Sequence, residues 1–357
     1  MSKIEIIGIM SGTSLDGVDI AHVSFSTDAF GEFNFSILNT KSFQFPNALQ
    51  EELALATNLQ VPAILQLDKK LGLYFADCVN SFISLKKISK TNIAAIACHG
   101  QTIYHQPENG FTLQIGCGAT IAFHTDIQVI NDFRTKDIVA GGQGAPLVPI
   151  GDFHLFHSKA DSFLNIGGFT NISFKENGIV RAFDICPGNL PLNKLVKSKG
   201  LSFDNEGAIA RSGEINFFLL DLLNSLSYYE HTGPKSLGTE WLEEHFYPML
   251  KFDKEIENNL RTVVEHIAFQ IGHILTSSHV PTVLISGGGT KNLFLIERIA
   301  HYYKGTIIIP NEEIISFKEA IIFAFLGALY LDKIPNCIPS VTGAKRATIG
   351  GTLHIPG

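Results

Sequence analysis

The predicted secondary structure repeats once along the chain, and this repetition restricts the fold more than any other feature of the sequence. In the first half, the hydrophobic pattern predicts three strands, a helix and two more strands, at residues 3–10, 18–25, 33–38, 63–84, 93–98 and 128–133. The second half repeats this order, at residues 162–166, 171–175, 179–184, 256–275, 282–286 and 306–309, with added helices at 292–301 and 317–331.

Each half opens with two strands joined by a glycine-bearing turn, although residue identity between the halves is weak. Asn177-Gly178 additionally predicts a type I′ hairpin in the second half. This order of elements is typical of an α/β protein with two ribonuclease-H-like domains of the actin and hexokinase type, with a nucleotide and substrate cleft between them. We predict domains at residues 1–134 and 135–357, with the tail from Pro335 onward, which includes 341–344, as ordered coil and short strand.

Composition excludes several classes of protein. The chain has 357 residues, 45% apolar and 17% charged, and its net charge of −7 comes without any Lys/Arg-rich block, which argues against nucleic-acid binding. The longest apolar run, 320–331, is shorter than the ~20 residues of a membrane helix. Five scattered cysteines without a C-x-x-C pattern indicate free, mostly buried thiols. We therefore expect a cytoplasmic enzyme with no membrane partner.

The first glycine turn could hold phosphate. It comprises Gly12, Thr13, Ser14, Leu15, Asp16, Gly17, Val18 and Asp19. Glycine lets backbone N–H groups approach an anion, and hydroxyl groups add donors. Asp16 and Asp19 would bind Mg²⁺ through water, because carboxylates do not bind phosphate directly. An ordinary tight turn, with Asp16 in an Asx-turn, is the alternative.

Two further glycine segments occupy corresponding positions in the second half. One is the turn 165–171, which contains Gly167, Gly168 and Asn171, and the other follows the strand 282–286 with Gly287, Gly288, Gly289 and Asn292. The first would face the 12–19 turn and clamp a triphosphate with it. The second would let a flat base lie against the backbone. Singly, each is more often a simple turn.

Asp184 is the candidate general base. It lies at the end of a predicted strand and precedes Pro187-Gly188-Asn189, which would stop that strand. A helix-capping role for this carboxylate is the alternative.

Other residues suit a sugar. His99, Gln101 and Thr102 leave a buried strand end, and the loop with Gly142, Gln143 and Gly144 is too glycine-rich for a core element. Arg134 could grip a substrate carboxylate or pair with Asp132 or Asp137. Glu319 is the acid of the last apolar helix, where burial would demand a partner. Neither His154 with His157 nor any cysteine has a metal or nucleophile signature.

Many segments together resemble the anhydro-N-acetylmuramic acid kinase family. They occur in the family's order, at residues 10–19, 98–105, 133–134, 141–149, 165–172, 184, 187–189, 234–236, 286–289, 319–320 and 341–344. The resemblance implies ATP, Mg²⁺, a homodimer and a role in peptidoglycan recycling. It implies phosphate binding by residues 12–19 and a base at Asp184, with His99, Arg134, Glu319 and Asn189 near the sugar.

The substrate that this resemblance implies has its O6 tied to C1, so it lacks a free 6-hydroxyl. Asp184 would deprotonate a water that attacks C1, while O6 leaves and accepts the γ-phosphoryl group. Cys186 stands where we expect glycine, and Leu237 and Thr239 depart from the expected Thr and Arg or Lys. Two rival functions remain: a kinase for another 1,6-anhydro sugar such as 1,6-anhydroglucose, and a non-catalytic actin-like nucleotide-binding module.

Overall fold

The computed structural model of the chain describes residues 1–12, 15–231, 235–252 and 255–357. Thr13 and Ser14 of the predicted phosphate turn, and Pro234 of the 234–236 segment, lie outside these residues. The chain forms two compact units, Met1–Phe156 with Phe317–Gly357, and His157–Ser316.

The strands are β1 Ile4–Met10, β2 Gly17–Thr27, β3 Phe33–Gln44, β4 Ile93–Cys98, β5 Gln101–Gln106, β6 Phe111–Ile115, β7 Val129–Asn131, β8 Ser162–Ile166, β9 Phe169–Glu176, β10 Ile179–Pro187, β11 Thr282–Ser286, β12 Thr306–Ile308 and β13 Thr352–His354.

The helices are α1 Asn47–Ala54, α2 Val61–Lys86, α3 Gly118–Thr125, α4 Thr135–Val139, α5 Val148–Leu155, α6 Asn189–Val196, α7 Ala208–Ser212, α8 Phe217–Asn224, α9 Thr239–Trp241, α10 Ile256–Ser277, α11 Leu293–Tyr302, α12 Glu312–Leu331 and α13 Pro339–Thr342.

The two units contain the same sheet. In the first, the strand order is β13-β7-β4-β1-β2-β3, with β1, β2 and β3 antiparallel and with β4 and β7 parallel to β1. In the second, the order β10-β9-β8-β11-β12 has the same directions. When the strands are numbered within each sheet, both orders are 3-2-1-4-5, apart from the extra strand β13; β5 and β6 form a separate two-stranded sheet. This shared topology confirms the predicted duplication and the ribonuclease-H-like fold.

Each sheet has its own apolar core. In the first unit, α2 buries one face, including Leu71, Phe75 and Val79, in a cluster with Ile7 and Ile9 of β1. In the second, α10 packs Leu260, Val263 and Ile267 into a cluster with strand residues such as Leu164. α12 has the length and apolar composition of a membrane span, but 67% of its most apolar window is buried, as in a core helix.

Several predictions hold closely. The strands at 93–98, 162–166 and 282–286 match residue for residue. Asn177 and Gly178 both have positive φ, 51° and 80°, as the type I′ turn requires. All five cysteines are free and buried.

Other boundaries differ for local reasons. β3 continues to Gln44 because its edge pairing with β2 extends past the predicted end. α12 begins five residues earlier than predicted because the Asn311 side chain accepts the Ile314 N–H at 3.0 Å, which caps the helix at this point. The tail contains the predicted short strand as β13, but it also forms the short helix α13, which Gly343 ends with φ 79°.

The compact units also differ from the predicted domains 1–134 and 135–357. The C-terminal segment returns to the first unit because β13 pairs with β7. α12 approaches β1 so closely that a Cβ on Gly8 would lie 1.9 Å from the Ala320 carbonyl oxygen. The division of the chain into its two compact units is therefore determined by pairing between segments distant in sequence, and not by a linker.

Candidate active site

Asp184 lies on the edge strand β10, directly beside the glycine hairpin of the second unit. Its cross-strand partner is Asn171 of β9, and the register shifts between Asp184 and Cys186. This β-bulge leaves Ile185 as the extra residue. Bulges of this kind re-aim neighbouring side chains and are common next to active sites.

Three hydrogen bonds fix Asp184. Its N–H donates to the Lys235 carbonyl at 3.0 Å, and its own carbonyl accepts the Tyr228 hydroxyl at 2.7 Å. Its Oδ2 accepts the Leu237 N–H at 2.9 Å. The carboxylate is not a helix cap, because Gly188 occupies the N-cap position of α6 without a side-chain bond.

The environment of Asp184 suits a general base. Burial raises the pKa of its carboxyl to about 6, although the Leu237 N–H opposes this rise by stabilising the charged form. A base with a pKa near neutrality is deprotonated under ordinary conditions and still accepts a proton well.

The hairpin and the start of α6 form one backbone cluster. Gly188 donates its N–H to the Gly168 carbonyl at 2.8 Å, and Asn189 donates its N–H to the Gly167 carbonyl at 2.9 Å. The Asn189 amide also donates to the Ile166 carbonyl at 3.3 Å. Gly188 is required by space, since a Cβ there would lie 2.5 Å from the Gly167 oxygen.

The third glycine segment joins this cluster. Gly287 has φ 86°, and a Cβ on it would lie 2.7 Å from the Ile166 carbonyl oxygen. Gly289 packs against the Ile166 side chain, whereas a Cβ on Gly288 would have no neighbour closer than the Asn189 amide nitrogen at 3.9 Å. The two predicted nucleotide segments of this unit therefore adjoin each other, and Gly167 and Gly288 have the most open surroundings.

Asn292 has a structural task in addition to any ligand contact. It is 8% exposed and caps α11 by accepting the Leu295 N–H at 3.0 Å. Its predicted contact with adenosine remains a prediction.

In the first unit, the predicted phosphate turn connects β1 to β2. Leu15 donates its N–H to the Gly12 carbonyl at 3.3 Å and has φ 55°, and Met10 pairs with Asp19 across the ladder. Gly17 is needed for packing, because a Cβ there would lie 2.1 Å from the Phe43 carbonyl oxygen. Val18 is buried in the core.

Asp16 and Asp19, the predicted ligands of Mg²⁺ through water, lie close enough to repel each other. Asp19 accepts the Ser42 hydroxyl at 2.5 Å, and burial, together with repulsion from Asp16, raises the pKa of its carboxyl. A cation would relieve that repulsion. No group of three or more metal-ligating side chains occurs among the described residues, and the predicted Mg²⁺ contact of Asp16 and Asp19 through water remains a prediction.

His99 and Arg134 form a second polar centre in the same unit. The Nε and Nη2 atoms of Arg134 lie 3.2 and 2.9 Å from His99 Nε2, and Nη1 donates to the Gly144 carbonyl at 2.8 Å. Burial and the guanidinium lower the pKa of His99 to about 3, so the imidazole is neutral and its Nε2 is the acceptor. Arg134 thus engages His99 and Gly144, whereas Asp137 accepts the Gly144 N–H and the Thr342 hydroxyl.

Glu319 lies within electrostatic range of this centre. Burial among protein atoms raises the pKa of its carboxyl, while Lys318 and Arg134 oppose the rise and Asp19 adds to it. We expected a fully buried acid, but the residue retains solvent exposure, although enough protein atoms surround its carboxyl group to raise the pKa. A carboxylate that is reachable by solvent can contact a ligand.

The remaining residues that we predicted to bind the sugar contact other parts of the first unit. Gln101 is 2% exposed, and its Oε1 accepts the Ser11 hydroxyl at 2.5 Å, which joins the start of β5 to the residue after β1. Thr102 accepts from the Gln114 amide at 3.3 Å. Gln143 donates its N–H to the Thr342 carbonyl at 2.7 Å, and Gly142 leaves no room for a Cβ beside Asp137.

The departures from the expected family pattern leave the base intact. Cys186 is fully buried, and its N–H donates to Thr170 Oγ1 at 3.1 Å. Its backbone is outside the positive-φ region, so glycine is not required. Leu237 contacts Asp184 through its backbone, and Thr239 begins α9.

Tyr228 and Ser42 are contacts that sequence reasoning missed, since neither lies within a motif. Only their positions could have indicated these contacts: Tyr228 shortly precedes the 234–236 segment, and Ser42 lies on the strand that pairs with the strand of Asp19.

Comparison with known proteins identifies the family of the chain. The model of the family "Anhydro-N-acetylmuramic acid kinase" matches residues 4–356. Relatives of that name from Saccharophagus degradans and Vibrio cholerae are each 34% identical, with 98% of this chain and 98% of the relative covered. The solved activator of 2-hydroxyisocaproyl-CoA dehydratase from Clostridium difficile, with bound ADPNP, aligns at 12% identity and TM-score 0.46, covering 92% of this chain and 97% of that one. With a family model matched over nearly its whole length, the chain belongs to the anhydro-N-acetylmuramic acid kinase family.

Proposed function

We propose that this protein uses ATP and water to open 1,6-anhydro-N-acetylmuramic acid and to phosphorylate its O6, which gives N-acetylmuramic acid 6-phosphate in peptidoglycan recycling. Family membership supports the reaction class. The observation that carries the mechanism is Asp184: a base with a pKa raised to about 6, cross-strand from Asn171 of the glycine hairpin.

Asp184 deprotonates a water that attacks C1 of the sugar. Since the C1–O6 bond breaks as the C1–OH bond forms, O6 leaves as a nucleophile and takes the γ-phosphoryl group, with ADP as the other product. The proton from water goes to the Asp184 carboxylate and later to solvent. No separate general acid is needed, because phosphoryl transfer neutralises the leaving oxygen.

Backbone N–H groups of the glycine segments bind the phosphates. Residues 12–19 of the first unit, and Gly167 and Gly168 of the second, would hold the triphosphate from two sides, with Gly287, Gly288 and Gly289 against the base. Asp16 and Asp19 would hold Mg²⁺ through water, and the ion would supply charge stabilisation to the transferring phosphoryl group.

The polar centre of the first unit orients the sugar. Arg134, held by His99 and Gly144, keeps guanidinium N–H groups for the lactyl carboxylate. Neutral His99, solvent-exposed Glu319 and the loop with Gly142, Gln143 and Gly144 would contact hydroxyl and N-acetyl groups. Thr102 and Asn189 would complete the site.

We further propose a cytoplasmic homodimer, which is what membership of the anhydro-N-acetylmuramic acid kinase family implies.

An ADP-release assay tests the substrate. We expect turnover with 1,6-anhydro-N-acetylmuramic acid well above that with 1,6-anhydroglucose; the reverse order would favour the rival sugar. ATP turnover without sugar, together with filament formation, would favour the actin-like module.

Asp184→Asn tests the base. We expect this variant to lose both ring opening and phosphorylation while still binding ATP, as measured by equilibrium binding. A variant that opened the ring without phosphorylating it would show that Asp184 has another role.

A further inference from the structure

A cavity of about 260 Å³ lies in the second unit between β10, the second half of α10 and the segment after Tyr228. Phe183, Ile185 and Ile274 form its apolar wall, and Lys235, His231 and His273 contribute nitrogen atoms. Sites for drug-sized ligands typically measure about 300–1,000 Å³. This cavity therefore suits a smaller molecule.

The cavity is on the other side of β10 from the candidate base. Successive side chains of a strand point to opposite faces, so Phe183 and Asp184 project in opposite directions. Ile185, the extra residue of the bulge, is 1% exposed and also lines the cavity. The cavity is thus separate from the face on which Asp184 would meet the sugar.

Lys235 gives the cavity its charge. Its Nζ donates to the Tyr228 carbonyl at 3.1 Å and lies 4.4 Å from the centre of the Tyr228 ring. Across the described ranges, no carboxylate lies within ion-pair distance of this half-buried ammonium group. A half-buried cation beside apolar walls favours an anion with an apolar body.

The same segment holds the candidate base. The Lys235 carbonyl accepts the Asp184 N–H, and two residues later the Leu237 N–H donates to the Asp184 carboxylate. Tyr228, which contacts the Lys235 ammonium, also donates its hydroxyl to the Asp184 carbonyl. An anion that moves the Lys235 side chain further into the cavity would therefore alter the three hydrogen bonds that Asp184 makes with Tyr228, Lys235 and Leu237.

We propose that this cavity is an effector site for a small organic anion, with a carboxylate or phosphate head and a compact apolar body. The head binds Lys235 with help from His231 and His273, and the body contacts Phe183 and Ile274. Binding needs only the cavity, whereas the effect on turnover rests on the proposed role of Asp184. Coupling between the sites is reciprocal, so sugar and ATP would also change the affinity for the anion.

Binding is tested first, without sugar or ATP, by calorimetric titration of the full chain with benzoate and, in a separate arm, with phenyl phosphate. We expect saturable binding of at least one probe at one site per chain. Lys235→Met should weaken it at least tenfold, and Ser277→Trp, at the cavity wall, should abolish it. Thr276→Trp, on the exposed neighbour of Ser277 that does not line the cavity, should leave binding and turnover unchanged.

Kinetics then tests the effect. With the bound probe at saturation, we expect the pH dependence of kcat/KM for the sugar to shift in the wild type and in Thr276→Trp, and to stay unchanged in Ser277→Trp. Absence of saturable binding, or binding unaffected by both Lys235→Met and Ser277→Trp, would overturn the site. Binding that leaves the pH profile unchanged would overturn its role as an effector. If the wild type bound the probe but did not turn over the sugar even without it, the result would instead count against the proposed function.

Discussion

The backbone N–H of Leu237 donates to Oδ2 of Asp184 at 2.9 Å, across 53 residues of sequence. The contact uses an atom that every residue except proline possesses, so leucine at this position preserves it where we expected threonine. Tyr228 binds the carbonyl of the same aspartate at 2.7 Å. The candidate base is therefore positioned by two backbone hydrogen bonds and one hydroxyl group.

We expect kcat/KM to fall on the acid side with a midpoint near pH 6. Asp184 acts only when deprotonated, and burial raises the pKa of its carboxyl to about 6, so activity increases as pH rises through this value. His99 does not contribute to this limb, because its pKa is lowered to about 3. A pH series of initial rates at low sugar concentration gives the midpoint, and a profile that is flat from about pH 5 to 8 would contradict the assignment.

Leu237→Pro should move that midpoint upward by roughly one pH unit and lower kcat by about tenfold. Proline lacks the N–H that stabilises the charged carboxylate, and a hydrogen bond to a charged group contributes about 1.5–3 kcal/mol. Leu237→Ala keeps the donor and is the matched control. Equal midpoints for the proline and alanine variants would mean that the Leu237 N–H does not influence the base.

The fold was predictable because its signals are local. Each strand of the two hairpins is apolar, each hairpin turn carries glycine, and Asn177-Gly178 sets its own turn type. The position of Asp184 near the end of β10 followed from the same pattern. These features depend on neighbouring residues, which the sequence displays directly.

The supporting contacts were not predictable, because they join distant segments. Nothing in the sequence around Tyr228 indicates that its hydroxyl reaches Asp184, and the bulge at Ile185 is invisible to a pattern of period two. The hydrogen bond between Gln101 and Ser11 likewise joins residues 90 positions apart. The predicted contact of Gln101 with the sugar remains a prediction.

Arg134→Lys should raise the KM for the sugar by about tenfold and leave the KM for ATP nearly unchanged. The guanidinium contacts His99 through two nitrogen atoms and Gly144 through the third, and lysine cannot reproduce this planar arrangement. Arg181→Lys, at an exposed arginine paired with Glu176, is the matched control and should change neither constant. Steady-state kinetics with each substrate varied in turn makes the measurement, and an equal rise in both KM values would point to general loss of structure.

Gly8→Ala should destabilise the first unit and weaken sugar binding together. A Cβ at this position would lie 1.9 Å from the Ala320 carbonyl oxygen and 2.9 Å from the Ala324 nitrogen, so α12 must move away from β1. Overpacking of this kind typically costs about 1–3 kcal/mol, which corresponds to a loss of several degrees in Tm.

The same shift would displace Glu319, the residue before Ala320, while the buried pair of Lys318 and Asp152, 2.6 Å apart, resists the movement. Gly357→Ala is the control, since a Cβ there meets nothing within 4 Å. Thermal unfolding and the KM for the sugar are measured on both variants. A Gly8→Ala protein with an unchanged KM but a lower Tm would show that α12 relaxes elsewhere along its length, and that Glu319 does not depend on this contact for its position.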